Sequence, residues 1–410
     1  MAFPFLPLPL TVKVGKRRAV VGSREPTPED TFKSAAPDVT FRREYTVLKL
    51  LSHRHEPDHV SNTTAFCEWH TPASLDQTLP PLLKMTRFGA TKRIVILKSR
   101  LSGGRRAQGG LNELEILRAL PLHMNVVALR DYFFTFYGSY QVNLVLDSME
   151  GNLYHLTRCR KGRQFAGGLV SSILHQVALG LHHIHSHGWL HFNLCPENIL
   201  VTTTCVHQYP VVYSSMPDEG VDDGDPDCAR QRDVAVIIKL AGFDLARPLA
   251  ARIDPADMEA GFHWYRAPEV ILQDPAHSAP VDMWAFGAVM GEVMGLEPLF
   301  PGTDDVFQLV RIAEVLGAPT KKSACDARDQ PDDAGTWEEG WVLARNLGVT
   351  IPQIPPQSLR YRFSPPPPAS LLTLLRRLLM YDPRQRQTSK ECLDHVYFRE
   401  TEFHRTVVVD

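Results

Sequence analysis

The sequence predicts an α+β fold in two lobes, a small strand-rich one followed by a larger helical one. Two patterns carry this expectation. Segments of alternating or β-branched apolar residues fall before residue 150, and long amphipathic or wholly apolar segments fall after it. Composition adds a third observation: of 410 residues, 44% are hydrophobic and 22% charged, which suits a globular chain and excludes a collagen-like or mostly disordered one. Lys+Arg number 44 and Asp+Glu 46, a net charge of −2. That balance excludes a nucleic-acid or membrane surface built on bulk charge.

Residues 1–40 read as a disordered tail. It opens on MAFPFLPLPL, apolar and Pro-bearing, with no basic residues ahead of it and no small-residue cleavage site, so no signal peptide is expected. The short cluster Lys16, Arg17, Arg18 reads as part of a solvated tail, with a nuclear address as the lesser reading. The first lobe spans 41–149. Its strands are YTVLKLL (45–51), TAFCEWH (64–70) and RIVILK (93–98), then VVALRDYF (126–133) and QVNLVLD (141–147). A connection of about twenty residues separates the second strand from the third, long for a compact domain. One helix is expected, over LNELEILRAL (111–120).

The second lobe spans 150–400, with 401–410 as a C-terminal tail. In residues 169–188, Leu169, Ile173, Val177, Leu181 and Ile184 make one apolar stripe ended by Gly188. Residues 281–295 are apolar almost all round, the pattern of a buried central helix. Further helices are expected over 306–317 and 369–381. An acidic, Gly- and Pro-bearing stretch at 202–235 reads as a disordered insert. Proline numbers 32, above the usual level of about 5%. The run Pro365–Pro368 reads as a stiff connector or, at lower odds, a ligand for a Pro-binding domain.

Seven scattered cysteines (Cys67, Cys159, Cys195, Cys205, Cys228, Cys325, Cys392) include no C-x-x-C pair. They fit reduced thiols in an intracellular protein rather than a disulfide framework or zinc site. His182, His183, His185, His187 and His191 crowd a helix end; the spacing of His183 and His187 would suit a metal, but structural histidines are the stronger reading.

Several stretches give the architecture a family resemblance. HFNLCPENIL (191–200) resembles the catalytic loop of protein kinases, and IKLAGFDLAR (238–247) their magnesium-binding Asp-Phe-Gly segment. HWYRAPEVIL (263–272) resembles the end of an activation segment. VDMWAFGAVMGEVMGLEPLFPGTDDVFQLVRIAEVLGAPT is similar to the helical core of the cyclin-dependent and MAP kinase branch. WEEGWVLARNLG and MYDPRQRQTSKECLDHVYF point towards its male-germ-cell-associated group. The resemblance covers about residues 41–400 and implies a bilobal protein-kinase-like fold.

The resemblance also implies ATP and Mg²⁺ as cofactors and assigns positions to residues. Lys98, Glu113, Asp147, Met149 and Leu200 stand at cofactor-binding positions. Lys98 and Glu113 would form an ion pair, either orienting phosphates or closing the lobes as a retained salt bridge. Asn193 stands where the catalytic Asp is expected, and a carboxamide is no general base. Cys195 stands at the catalytic-loop Lys and Phe192 at the Arg that receives an activation-loop phosphate. Of the metal positions, Asn198 is kept, Gly242 replaces the Asp, and Asp244 carries the acid two residues later. Two residues of extended chain span roughly 6–7 Å, too far for direct coordination at the original point.

Other parts depart in the same direction. The stretch Leu50 to Phe66, where a Gly-rich phosphate loop is expected, contains no glycine, so backbone amides have no open approach to a phosphate. Ile96 replaces the alanine that lies against adenine, an overpacking worth about 1–3 kcal/mol. The activation segment from Pro248 to His263 has no Ser, Thr or Tyr to phosphorylate. The frame positions are kept: Glu269 with Arg386, Asp282, and the apolar stack of Leu117, His191 and Phe243. The expectation is a pseudokinase that acts by binding proteins, a kinase or kinase substrates, with nucleotide a further ligand and the cytoplasm or nucleus its compartment. The alternative is a serine/threonine kinase of weak activity that uses Lys98, Glu113, Asn198 and Asp244.

Overall fold

The computed structural model describes residues 11–13, 44–54, 62–69, 84–87, 90–101, 108–136, 140–203, 213–215, 234–251, 262–274, 278–319, 335, 337–355 and 357–401. The chain divides into two compact units, 1–102 with 129–148 and 103–128 with 149–410.

The first unit is an antiparallel sheet. Its strands are β1 (Thr11–Lys13), β2 (Glu44–Arg54), β3 (Asn62–Trp69), β4 (Lys84–Arg87), β5 (Ala90–Leu101), β6 (Leu129–Phe136) and β7 (Tyr140–Asp147). They run in the order β1-β2-β3-β5-β7-β6, with β4 paired to β5. Tyr45, Cys67, Val95, Leu97, Phe133 and Val145 form the core on one face, and Tyr45 stacks on Phe133 at 5.9 Å. The alternation read in the sequence is therefore the buried face of a sheet.

Three expectations change here. Residues 11–13 of the tail are not disordered but pair with β2, Thr11 opposite Thr46. The long connection before β5 holds β4, which turns back on β5 with Lys84 opposite Arg93. The strand expected from Val126 begins at Leu129, because Val126 bridges to Leu240 in the second unit instead.

The second unit opens with α1 (Gln108–Ala119), followed by β8 (Gly151–Asn152), α2 (Leu153–Cys159) and α3 (Gly167–Ser186). Next come β9 (Trp189–Leu190), β10 (Ile199–Thr202), β11 (Tyr213–Ser215), β12 (Val234–Leu240) and β13 (Arg247–Pro248). Then follow α4 (Pro268–Ile271), α5 (Pro280–Gly295), α6 (Asp305–Leu316), α7 (Glu338–Asn346), α8 (Ala369–Leu378), α9 (Ser389–Leu393) and α10 (Val396–Glu400). Ile173, Val177, Leu181 and Ile184 of the predicted stripe are fully buried on α3. All of α5 from Val281 to Met294 is buried, as its unbroken apolar text requires.

A sheet of order β11-β12-β10-β8 lies in this unit, and β9 pairs with β13. The acidic insert is thus not wholly unstructured: Tyr213–Ser215 pair antiparallel with 234–236, and the stretches 204–212 and 216–233 lie outside the described residues. A buried polar network ties α3 to β12. Gln176 accepts from the Ile238 amide at 2.9 Å and donates to the Val236 carbonyl at 3.0 Å. Asn125 donates to Gln176 and to the Ile238 carbonyl. The Asn125 and Gln176 carboxamides of this network are each bonded, which is what makes their burial tolerable.

Candidate functional site

The strand pair β9–β13 and the strand pair β10–β12 deliver two loops to one place in the second unit. The first runs from His191 to Asn198. The second runs from Ala241 to Leu245 and begins with the Ala241 amide donating to the Asn198 carbonyl at 2.9 Å.

Asp282, fully buried near the start of α5, organises the first loop. Its carboxylate accepts the His191 and Phe192 amides at 2.8 Å each, and His185 Nε2 lies 2.9 Å away. Burial pushes the Asp282 carboxyl up, but the hydrogen bond and charge of His185 and the amide of His191 outweigh it and hold the group below its ordinary value. These two amide bonds hold Phe192 at φ +60°, a left-handed backbone that costs a non-glycine residue about 1–2 kcal/mol.

His191 is fully buried and its ring is fixed. Nε2 meets the Ala241 carbonyl at 3.0 Å, so it carries the hydrogen, while Nδ1 accepts from the Asn193 amide. Burial lowers its basicity, against the raising effects of Asp282 and the Ala241 carbonyl. The ring packs 4.8 Å from Phe243. Phe243 is fully buried, and the turn Phe243–Leu245 packs on α1, the helix that carries Leu117.

The positions where phosphoryl transfer would need charge are filled otherwise. The Asn193 carbonyl accepts from Asn198 Nδ2 at 2.8 Å, so the nitrogen of the Asn198 carboxamide is tied to its own loop. Gly242 adopts φ +78°, ψ 49° and lies against that carboxamide. A Cβ on Gly242 would stand 2.4 Å from the Asn198 side-chain carbon and oxygen. No side chain enters there without displacing Asn198. Cys195 is buried, and burial, with the charge of Glu197, pushes its thiol well above the usual range, so it is no reactive thiolate. Asp244 is half-buried in the turn after Gly242, and its negative charge is felt at His191.

These groups do not fit magnesium. The ion demands near-octahedral oxygen ligands with one or two carboxylates. Here the Gly242 point has neither a carboxylate nor room for one, and Asn198 offers it a single carboxamide oxygen.

The other expected residues fall as follows. Met149 and Leu200 come together, packed with Ile237 in a small apolar cluster. Asp147 belongs to the first unit, where its carboxylate takes the Arg130 guanidinium at 2.6 Å, both side chains nearly buried. Lys98 sits half-buried on β5, opposite Thr64 and Leu144, and Ile96 lies between Phe66 and Leu146. Glu113 is buried on α1. Residues 252–261 of the activation segment and the tip 55–61 of the β2–β3 hairpin lie outside the described residues; β2 and β3 pair up to Arg54 and Asn62.

The frame is intact. Arg386 and Glu269 are both fully buried and joined twice, once at 2.7 Å. Arg386 also donates to the carbonyls of Met380, Pro280 and Tyr381. All five guanidinium N–H groups are used, and the plane stacks 5.0 Å from Trp284.

One contact was not legible in any motif. The Arg247 guanidinium lies 5.1 Å over the Phe192 ring, an attraction of cation and π-face that joins the catalytic-type loop to β13. The crowded histidines do not form a metal group. His183 meets the Pro121 carbonyl and His187 the His183 carbonyl; the His123 and His183 rings stack at 4.5 Å, and the His187 ring lies tilted 4.4 Å from that of His183. Among the described residues no group of three or more His, Cys, Asp or Glu side chains is placed to hold a metal, and no helix is long and apolar enough to cross a membrane.

Comparison with known proteins agrees with this architecture. The family described as "Protein kinase domain" matches residues 85–398. The meiosis induction protein kinase IME2/SME1 of Saccharomyces cerevisiae is 32% identical over 294 residues, 71% of this chain and 43% of that protein. The serine/threonine-protein kinase MAK of Mus musculus is 30% identical over 289 residues, 70% of this chain and 38% of that protein. The sporulation protein kinase mde3 of Schizosaccharomyces pombe is 32% identical over 288 residues, 70% of this chain and 45% of that protein. The chain spans less than half the length of these relatives. With its antiparallel first unit, its helical second unit and the Asp282 and Glu269–Arg386 frame, the chain belongs to the protein kinase family, in the branch that holds these MAK- and IME2-like members.

Proposed function

We propose that the chain is a pseudokinase, a kinase fold that works by binding other proteins as a scaffold or allosteric regulator in signalling. The observation that carries this reading is the contact of Gly242 with the Asn198 carboxamide, which leaves no place for the metal-binding carboxylate. Asn193 supplies no general base, and the buried, protonated Cys195 supplies no positive charge to a phosphoryl group. Phosphoryl transfer rests on positioning and charge stabilisation, so removing base, metal ligand and cation together removes most of what the fold contributes. Partners on this reading are proteins, a genuine kinase or its substrates. The apolar Met149–Leu200 contact, at two positions where the resemblance implies cofactor binding, supports nucleotide as a second ligand.

A thermal-shift titration with ATP, alone and with Mg²⁺ or Mn²⁺, tests this. The expected result is a melting temperature that the metals leave unchanged at every nucleotide concentration. Binding of a metal–nucleotide complex at a hundredfold excess over its Kd would instead stabilise the fold by about 2.7 kcal/mol. The second reading, a weak serine/threonine kinase, is favoured by the printed names of the relatives, which are kinases. It requires phosphate incorporation into a peptide panel that Lys98→Met abolishes. That outcome would overturn the pseudokinase reading.

A further inference from the structure

The second unit holds a cavity of about 290 Å³ that shares no lining residue with the loops 191–198 and 241–245. Three elements enclose it. Leu299 and Pro301, in the chain that leaves α5, form its floor. Leu299 is buried against α5, where a Cβ on Gly291 would stand 2.6 Å from one of its methyl carbons. Helix α6 supplies one wall. Its Leu309, Ile312, Ala313 and Leu316 are buried, and the neighbouring stripe of Arg311, Glu314 and Val315, spaced i, i+3, i+4, lines the cavity. The other wall comes from residues 357–362.

The second wall presents its side chains outward. A single tight turn, Leu359–Arg362, lies between two buried anchors, Leu359 and Phe363, and Phe363 packs at the end of α5 beside Gly295. With both ends pinned, Tyr361 and Arg362 stand outside, and Tyr361 is 87% exposed. Tyr and Arg around an anchor pocket are the residues that carry most of the energy of protein–protein contacts. The charges at the mouth do not cancel. Arg311 and Glu314 satisfy one another at 2.7 Å, whereas Arg362 and Gln357 make no hydrogen bond or ion pair with other described residues. A free guanidinium favours a carboxylate, which it can hold by two parallel bonds. Pockets for small molecules measure about 300–1,000 Å³ and enclose most of their ligand. This one is at the lower limit and open where Tyr361 and Arg362 stand, which suits one side chain of a larger partner.

We propose that this cavity docks an acidic segment of another protein, one in which a large apolar side chain is flanked by carboxylates. The anchor enters between α6 and the 357–362 wall and rests on Leu299. A flanking carboxylate meets Arg362, and the Tyr361 ring covers the anchor from outside. The surface uses none of the catalytic-type residues. It holds whether or not the chain transfers phosphate, so a phosphate-incorporation result leaves it standing.

Fluorescence polarisation of the full chain with labelled peptides tests it. The probe is Asp-Asp-Phe-Asp-Asp, and two controls replace its Phe by Gly or every Asp by Lys. The expected result is saturable binding of the probe alone, weakened about tenfold or more by Arg362→Glu and by Tyr361→Ala, and weakened by added salt. Both side chains are exposed, so the two variants should melt as the parent chain does, which separates lost docking from lost folding. No binding of the probe, equal binding of either control, or binding that either variant leaves unchanged would overturn the proposal. So would binding that appears only when the acidic stretch 216–233 or 326–333 is deleted, since this chain would then fill its own cavity.

Discussion

Arg386 and Asn193 belong to the same unit, and their surroundings have been kept on different terms. Arg386 meets a carboxylate, three carbonyls and an indole face, with every N–H matched. Among the described residues, Asn193 is held through its backbone: its amide donates to His191 and its carbonyl accepts from Asn198. A buried charge is tolerable only with full pairing, so the frame cannot drift one residue at a time. The catalytic positions are half-exposed or small, and changes there leave the fold standing. The difference teaches that the frame is enforced by desolvation, whereas the loop that carries Asn193 is not.

The largest effect should follow Arg386→Ala. It strands Glu269 as an unpaired buried charge, and the expected loss is about 3–5 kcal/mol, read as a lower denaturant midpoint for the second unit. A loss under 1 kcal/mol would remove the contrast at its strong end.

Gly242→Asp restores an acid where kinases carry one. It should nonetheless lower stability by about 1–3 kcal/mol, because the residue is forced into a left-handed backbone against the Asn198 carboxamide. A stable variant with a Mg²⁺-dependent thermal shift would break the comparison.

A smaller effect depends on pH. Burial first, then positive charge at His183, Lys239, His182 and His187, pushes His123 down to about 4. The unfolded imidazole takes its proton near 6.5, while the folded one waits until about 4. Stability is therefore full above pH 6.5 and falls as the pH drops towards 4. Partial exposure of the ring trims the contribution to about 1–2 kcal/mol. His123→Asn, which keeps an acceptor for the Asn125 amide, should flatten that part of the melting-temperature profile.

The smallest effect should be that of Asn193→Asp, under about 1 kcal/mol on stability. On the pseudokinase reading proposed above, it should by itself yield no phosphoryl transfer in a peptide assay.

Much of this was legible in the sequence, for identifiable reasons. The helices α3 and α5 announce themselves because burial of a stripe, or of every face, writes a period into the text. The partners Glu269, Asp282 and Arg386 were legible through their motifs, although nothing in the text between them shows that Glu269 and Arg386, 117 positions apart, touch. Short strands were not legible. β1 and β4 have three and four residues, too few for an alternation, and each exists because a longer neighbour supplies an edge. The insert likewise hides β11, which depends on β12 for pairing. In the site, the exchange of Asp for Gly at 242 was visible. That Asn198 fills the space beside it was not, since crowding is a property of two backbones brought together. The Arg247–Phe192 stack escaped for the same reason.

The Arg386–Glu269 bond also has a consequence in time. Chains are made from the N-terminus at about 5–20 residues per second. Arg386, 117 positions after Glu269, therefore follows it off the ribosome by roughly 6–23 seconds. Through that interval Glu269 has no guanidinium to meet, and the helix that carries it cannot bury it cheaply. The helical unit must stay open there, hydrated or attended, until its last helices have been made. A chain cut short before residue 386 would never close.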